Sequence, residues 1–185
     1  MRNKFDEQLL QLNHEMIEMG ALCEEVIALS SQALTEGDTA LASKVAPLDS
    51  EIDHKEREIE NLCLKLLLRQ QPVARDLRQI SAALKMITDL ERIGDQAGDI
   101  AEIVKSTDLS APVKATRLGE MAKAVASMVR ESIESFANGD LKKTKEVIEY
   151  DDVIDNLFNE VKKELADGIS VSYTHLRAHE TDSYL

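Results

Sequence analysis

Apolar residues recur in this chain at helical spacing over runs of about thirty residues, and that pattern limits the fold more than any other feature of the sequence. Phe5, Leu9, Leu12, Met16, Met19, Cys23, Val26 and Ile27 lie three and four apart, so they share one helix face. The stripe continues to about Thr35 and stops at Gly37. Asp38 is placed to cap the next helix. Leu41, Val45, Leu48, Ile52, Ile59, Leu62 and Leu66 carry a second stripe to about Gln70, with Pro47 inside it as a kink or a division. A third helix is expected from about Val73 to Val104, after Pro72. A short link around Pro112 leads to a fourth, from about Lys114 to Ala137, ended by Asn138-Gly139. The fifth runs from about Asp140 to Ala166 and is expected to end near Gly168. Helices of about 30 residues are about 45 Å long, and links of a few residues force neighbours antiparallel.

Composition agrees with an all-α chain. Seven glycines and three prolines leave few turns. With 43% hydrophobic residues, 3% aromatics and no tryptophan, the core must be aliphatic.

The helices repeat. At a shift of 102 residues, Met19 meets Met121, Ser30 meets Ser132, Gly37-Asp38 meets Gly139-Asp140, and Val45 meets Val147. Asp49, Ile52 and Asp53 meet Asp151, Ile154 and Asp155 without a gap. A shared Gly-Asp break followed by a shared Asp-x-x-Ile-Asp is hard to obtain by chance, so the chain reads as a duplication. The expected organisation is a first three-helix bundle over residues 1–107 and the first two helices of a second over 108–170. On this reading the second bundle lacks its last helix, and Val125, Met128, Val147, Ile154 and Val161 face an open apolar groove that favours self-association. Residues 171–185 carry no helical apolar stripe, resemble translated adapter or vector sequence, and are left out of the fold.

A net charge of −13 repels nucleic acid and disfavours docking on anionic lipid. No run of about 18 apolar residues is present, and polar residues break the N-terminal stretch, so neither a membrane span nor a signal peptide is expected. Cys23 and Cys63 sit within apolar patterns and read as buried thiols rather than a disulfide framework or a zinc motif. The expected compartment is the cytoplasm.

The segment from Asp89 to Asp99 holds the chemistry. Val73, Leu77, Ile80, Leu84 and Ile87 form a stripe whose next positions are Glu91 and Asp95, with Asp99 slightly to one side. Like charges four apart repel, and burying unpaired carboxylates costs several kcal/mol each. A bound cation or a basic partner would offset that. Asp49, Asp53, Glu56 and Glu60 make a second acidic row on helix two, positioned to face the first in an antiparallel hairpin. All-oxygen sites suit Mg²⁺, Ca²⁺ or Mn²⁺ and also hold iron. Gly94 and Gly98 lie mid-helix among these acids, each costing about 1 kcal/mol against alanine, which close approach of another helix or a ligand would explain.

Enzyme chemistry is disfavoured. Glu51-x-x-His54 matches the di-iron bundle motif, but it occurs once and projects away from the apolar stripe. No glycine-rich phosphate loop or nucleophile arrangement is present. A carboxylate di-metal oxidase and a metal-free helical scaffold or adaptor remain the alternatives.

The run Pro72-Val73-Ala74-Arg75-Asp76-Leu77-Arg78, then Leu84-Lys85, then Asp89-Leu90-Glu91-Arg92-Ile93-Gly94-Asp95, resembles the signature of the PhoU family. Helix one, with Met19-Gly20, and Asp151-Asp152-Val153-Ile154-Asp155 in helix five resemble it too, so the likeness covers about residues 3–169. It implies tandem three-helix bundles, each with a Glu/Asp-x-x-x-Asp motif, of which Glu91 to Asp95 matches the first. It also implies a cytoplasmic, often dimeric, negative regulator of phosphate uptake and of the phosphate-starvation response. Such a regulator contacts the phosphate ABC transporter and its membrane sensor histidine kinase. Carried onto this chain, the family's metal sites imply Glu91, Asp95 and Asp99, with Asp49 and Asp53 as neighbours, holding Mg, Mn or Fe.

Overall fold

The chain breaks into helices where its glycine, aspartate and proline residues direct. In a computed structural model, the backbone is described for residues 2–69, 72–107 and 109–182, and the side chains for 4–68, 72–107 and 109–168. Helix α1 spans Arg2–Glu36, α2 Thr39–Ala42, α3 Val45–Arg69 and α4 Ala74–Ser106. A short α5, Ser110–Lys114, leads into α6, Leu118–Asn138, and α7, Leu141–Asp182. Among the described residues there is no strand.

The two copies of the repeat share one turn design. Gly37 has φ 68° and Gly139 has φ 65°, the left-handed region in which a side chain is strained. The Asp38 amide bonds the Ala33 carbonyl at 3.0 Å, and the Asp140 amide bonds the Ser135 carbonyl at 2.9 Å. The Asp38 carboxylate then accepts from the Ala40 and Leu41 amides, as Asp140 does from Lys142 and Lys143.

One boundary resolves an open expectation and another departs from one. The second helix is divided, α2 from α3, and Pro47 falls in the first turn of α3, where an amide hydrogen has no intrahelical partner to lose. The fifth helix does not end near Gly168; its backbone continues as α7 through Asp182. Gly168 lacks a positive φ, and a helical glycine weakens a helix without removing a hydrogen bond. The side chains of 169–182, and residues 183–185, lie outside the described residues.

Helices α1, α3 and α4 pack against one another, and α6 and α7 form a hairpin. The two parts are not separated by a gap, because α6 lies along α1. Ile133 of α6 joins the core of Leu12, Met16, Met19, Ile52, Ile59, Ile80 and Ile87. A Cβ at Gly20 would lie 2.2 Å from Ile133 Cδ1, the far end of a flexible side chain, so the glycine lets Ile133 seat against α1 without turning aside. Asn13 Nδ2 donates to the Ala137 carbonyl, and Arg130 pairs with Glu24 along the same contact. On the far side of α1, half-buried Lys55 of α3 is gripped by Glu15, Glu18 and Glu58 at 2.8, 2.9 and 3.2 Å. These carboxylates raise the Lys55 pKa. Both cysteines are buried, as their pattern indicates. Burial, reinforced by a neighbouring glutamate, pushes the Cys23 thiol up to about 12 and the Cys63 thiol up to about 11, leaving both unreactive.

The apolar groove expected on α6 and α7 is arranged differently. Val147 and Val161 are buried between those helices, and Val125, Met128 and Ile154 are half-buried. Among the described residues of α7, the large apolar side chains left exposed are Leu141, Ile148, Tyr150, Val153 and Phe158.

Candidate metal centre

The acidic site lies between α3 and α4. Descending α3, Asp49, Asp53, Glu56 and Glu60 follow one another at helical spacing, and α4 presents Asp99, Asp95 and Glu91 in the opposite order. Asp49, Asp53 and Asp95 each offer a carboxylate oxygen, and these oxygens lie within 4.8 Å of one another. Asp99 lies along the same groove, in a hollow lined by Asp49, Asp95, Gly98, Glu102 and Lys105. Glu91 stands at the other end, beside Glu56. The structure thus gathers Asp49, Asp53 and Asp95 tightly, with Glu91 and Asp99 flanking them. Glu56 belongs with this group, although the sequence marks it only as one member of a row.

The carboxylates do not replace the inward ridge of α4. That ridge runs Ile80, Ala83, Ile87, Leu90, Gly94, Ala97, Ala101 and Val104, and stays apolar throughout. Val73 and Leu77, expected to begin it, are 61% and 44% exposed. Stepping by four residues overshoots a full turn by about 40°, so successive steps from Ile87 carry Glu91, Asp95 and Asp99 progressively off the core. The ridge instead narrows to Gly94, Ala97 and Ala101, and small residues let α3 come close. A Cβ on Gly94 would lie 2.7 Å from Asp49 Oδ1 and 3.3 Å from Ile52 Cδ1. On Gly98 it would lie 3.7 Å from Asp49 Oδ2, an ordinary contact. The close approach anticipated from two mid-helix glycines is therefore present at Gly94 and relaxed at Gly98.

Electrostatics at the site are one-sided. Burial raises the Asp49 pKa first, followed by the charges of Asp53, Asp95 and Asp99. Burial also raises the Glu91 pKa, followed by the charges of Asp95, Glu56, Asp53 and Asp49. Glu56 is raised by burial, Glu60, Asp53 and Asp95, against an opposing effect of Arg57. The cations nearby are turned elsewhere or held loosely: Arg57 reaches Asp53 at 3.6 Å, Arg92 reaches Asp89, and Lys105 bonds Glu102. Asp49 Oδ1 is buried without a hydrogen-bond partner, a state that costs about 1–3 kcal/mol.

These residues fit a cation. The donor set is all oxygen, one oxygen is orphaned, and that oxygen lies against Gly94, where a Cβ would crowd it. Glu51 and His54 do not contribute: both are exposed, and His54 pairs with Glu58 at 3.3 Å.

Comparison with known proteins points one way. The chain matches the PhoU domain over residues 16–104 and 118–179. It is 34% identical over 171 residues to a phosphate-specific transport system accessory protein PhoU homolog of Clostridium acetobutylicum, covering 91% of this chain and 78% of that protein. A protein of the same description from Aquifex aeolicus is 35% identical, over 88% of this chain and 74% of its own length. The crystal structure of PhoU from Pseudomonas aeruginosa superposes with a TM-score of 0.80 at 29% identity, over 94% of this chain and 84% of that one.

Proposed function

This chain belongs to the PhoU family, and from that membership we propose that it is an accessory regulator of phosphate transport, not an enzyme. Its action is negative: when phosphate is plentiful it lowers phosphate uptake and the starvation response. It does so in the cytoplasm by binding the phosphate ABC transporter and its sensor histidine kinase. What supports a protein-binding role is the build of the molecule: no described helix is long and apolar enough to cross a membrane. Several large apolar side chains also stand open on α7, among them Ile148 at 66% and Phe158 at 55% exposure. The same helix is the proposed contact for a homodimer.

The observation that carries the site assignment is the convergence of Asp49, Asp53 and Asp95, together with the burial of Asp49 Oδ1 without a partner. We assign these three residues, flanked by Glu91 and Asp99, as holding a divalent or iron cation, with Mg²⁺, Mn²⁺ and Fe²⁺ matching the hard oxygen donors. When bound, the ion supplies positive charge. The chain's own residues do the rest: Asp49 and Asp53 present carboxylates from α3, Asp95 presents one from α4, and neutralising them joins the two helices.

The test has two arms. In a bacterium deleted for its own PhoU, expression of this chain should lower phosphate uptake in phosphate-rich medium; unchanged uptake rejects the regulatory reading. In vitro, Mn²⁺ titration of the purified chain and of Glu91→Ala/Asp95→Ala should differ at least tenfold in affinity, and equal binding rejects the site.

A further inference from the structure

A glycine at position 94 is expensive in a helix and is not needed for backbone conformation, since its φ is not positive. Its neighbours explain it. The nearest atom to a Cβ built there is Asp49 Oδ1 at 2.7 Å, and that same oxygen is buried without a partner. The second neighbour, Ile52 Cδ1 at 3.3 Å, is the far end of a flexible side chain. A methyl group at 94 would therefore press first on the Asp49 carboxylate and less on Ile52, whose Cγ2 at 3.5 Å is in ordinary contact. What would yield is the Asp49 carboxylate, which would turn out of its place against α4.

We propose that Gly94 is a positioning residue of the cation site, leaving the space that holds the Asp49 carboxylate between α3 and α4, within reach of Asp53 and Asp95. The inference rests on the cation reading given above and adds a residue that offers no ligand atom. Gly98 is the internal control. It stands one turn further along α4, faces the other oxygen of Asp49 at 3.7 Å, and has room for a methyl group. Stability and affinity should therefore move in different directions. Gly94→Ala gains helix propensity and releases an oxygen from a dry, unpartnered position, yet it loses the carboxylate from the site.

Mn²⁺ affinity, measured by calorimetry, and the melting temperature in EDTA separate the possibilities. Gly94→Ala should keep or raise the metal-free melting temperature and weaken Mn²⁺ at least tenfold. Gly98→Ala should raise the melting temperature and leave affinity within twofold. In an Asp49→Ala background, adding Gly94→Ala should change affinity less than twofold, because the group it displaces is gone. An equal loss in both backgrounds, or a metal-free melting temperature falling by several degrees in Gly94→Ala alone, would make Gly94 a helix-spacing residue and nothing more, and overturn the proposal. Wild-type affinity retained by Gly94→Ala overturns it while leaving the site standing. No Mn²⁺ uptake by the wild type overturns both.

Discussion

Asp49 and Asp53 on α3, and Asp151 and Asp155 on α7, are the same element in two copies of one repeat, yet they have different surroundings. Matching turns open both copies, each with a left-handed glycine and a capping aspartate, although α2 intervenes before α3 in the first. Ile52, between the first pair, is fully buried, and a carboxylate of α4 faces that pair. Ile154, between the second, is half-buried, and Asp151 and Asp155 are exposed. An acid pair on a helix is thus not a site. What the facing helix adds in the first copy is a carboxylate oxygen removed from water and a third carboxylate brought against the pair.

Core truncation should strain this comparison most. Ile52→Ala removes a fully buried side chain under the acid groove and should cost about 2–5 kcal/mol in chemical unfolding. Ile154→Ala should cost less than half as much. Similar losses would mean that the second copy is as well packed as the first.

Next in size is the cation. At a free Mn²⁺ concentration a hundredfold above Kd, binding to the folded chain adds about 2.7 kcal/mol. For a chain of this length that raises the melting temperature by roughly 5–10 °C. Asp49→Asn/Asp95→Asn should abolish the rise, and Asp151→Asn/Asp155→Asn should leave it intact. A rise that follows the second pair instead would put the ion in the wrong copy.

A smaller effect is pH dependence in EDTA. Asp49, Glu56 and Glu91 have raised folded pKa values, chiefly through burial and then through one another. The stability tied to them is complete below the ordinary carboxylate range, near pH 4, and is lost as pH rises through the raised values. The metal-free chain should therefore melt lower at pH 7.5 than at pH 5, and Asp49→Asn should flatten that slope. An unchanged slope would mean that Asp49 is solvated.

Much of this was legible from residue spacing. The helices, the Gly37 and Gly139 breaks, the aspartate caps and the pairing of two acidic rows all follow from local chemistry and antiparallel order. The inward ridge of α4 was not, because steps of four read as a straight stripe over Ile87, Glu91 and Asp95 while the helix turns away beneath them. Small residues at Gly94, Ala97 and Ala101 mark the true ridge, and hydropathy alone gives them little weight. Sharing of the core across α1 and α6 brings Gly20 against Ile133, a contact between residues 113 positions apart that no local pattern announces. The continuation of α7 through Gly168 shows the opposite error, in which a glycine was credited with ending a helix without a left-handed turn to do it.

The finest test concerns the feature in which the two copies agree. Gly37 and Gly139 both hold φ near 65–68°, and each precedes an aspartate whose carboxylate caps the next helix. Alanine in that conformation costs about 1–2 kcal/mol. Gly37→Ala and Gly139→Ala should therefore destabilise the chain by nearly equal amounts, even though one turn leads into a deep core and the other into a half-open hairpin. The strain is local to φ and independent of what the following helix packs against. If Gly139→Ala proves much milder, that turn must relax into another conformation at little cost. The two breaks would then be alike in shape but unequal in what holds them, with the environment of the second copy reaching even its turn.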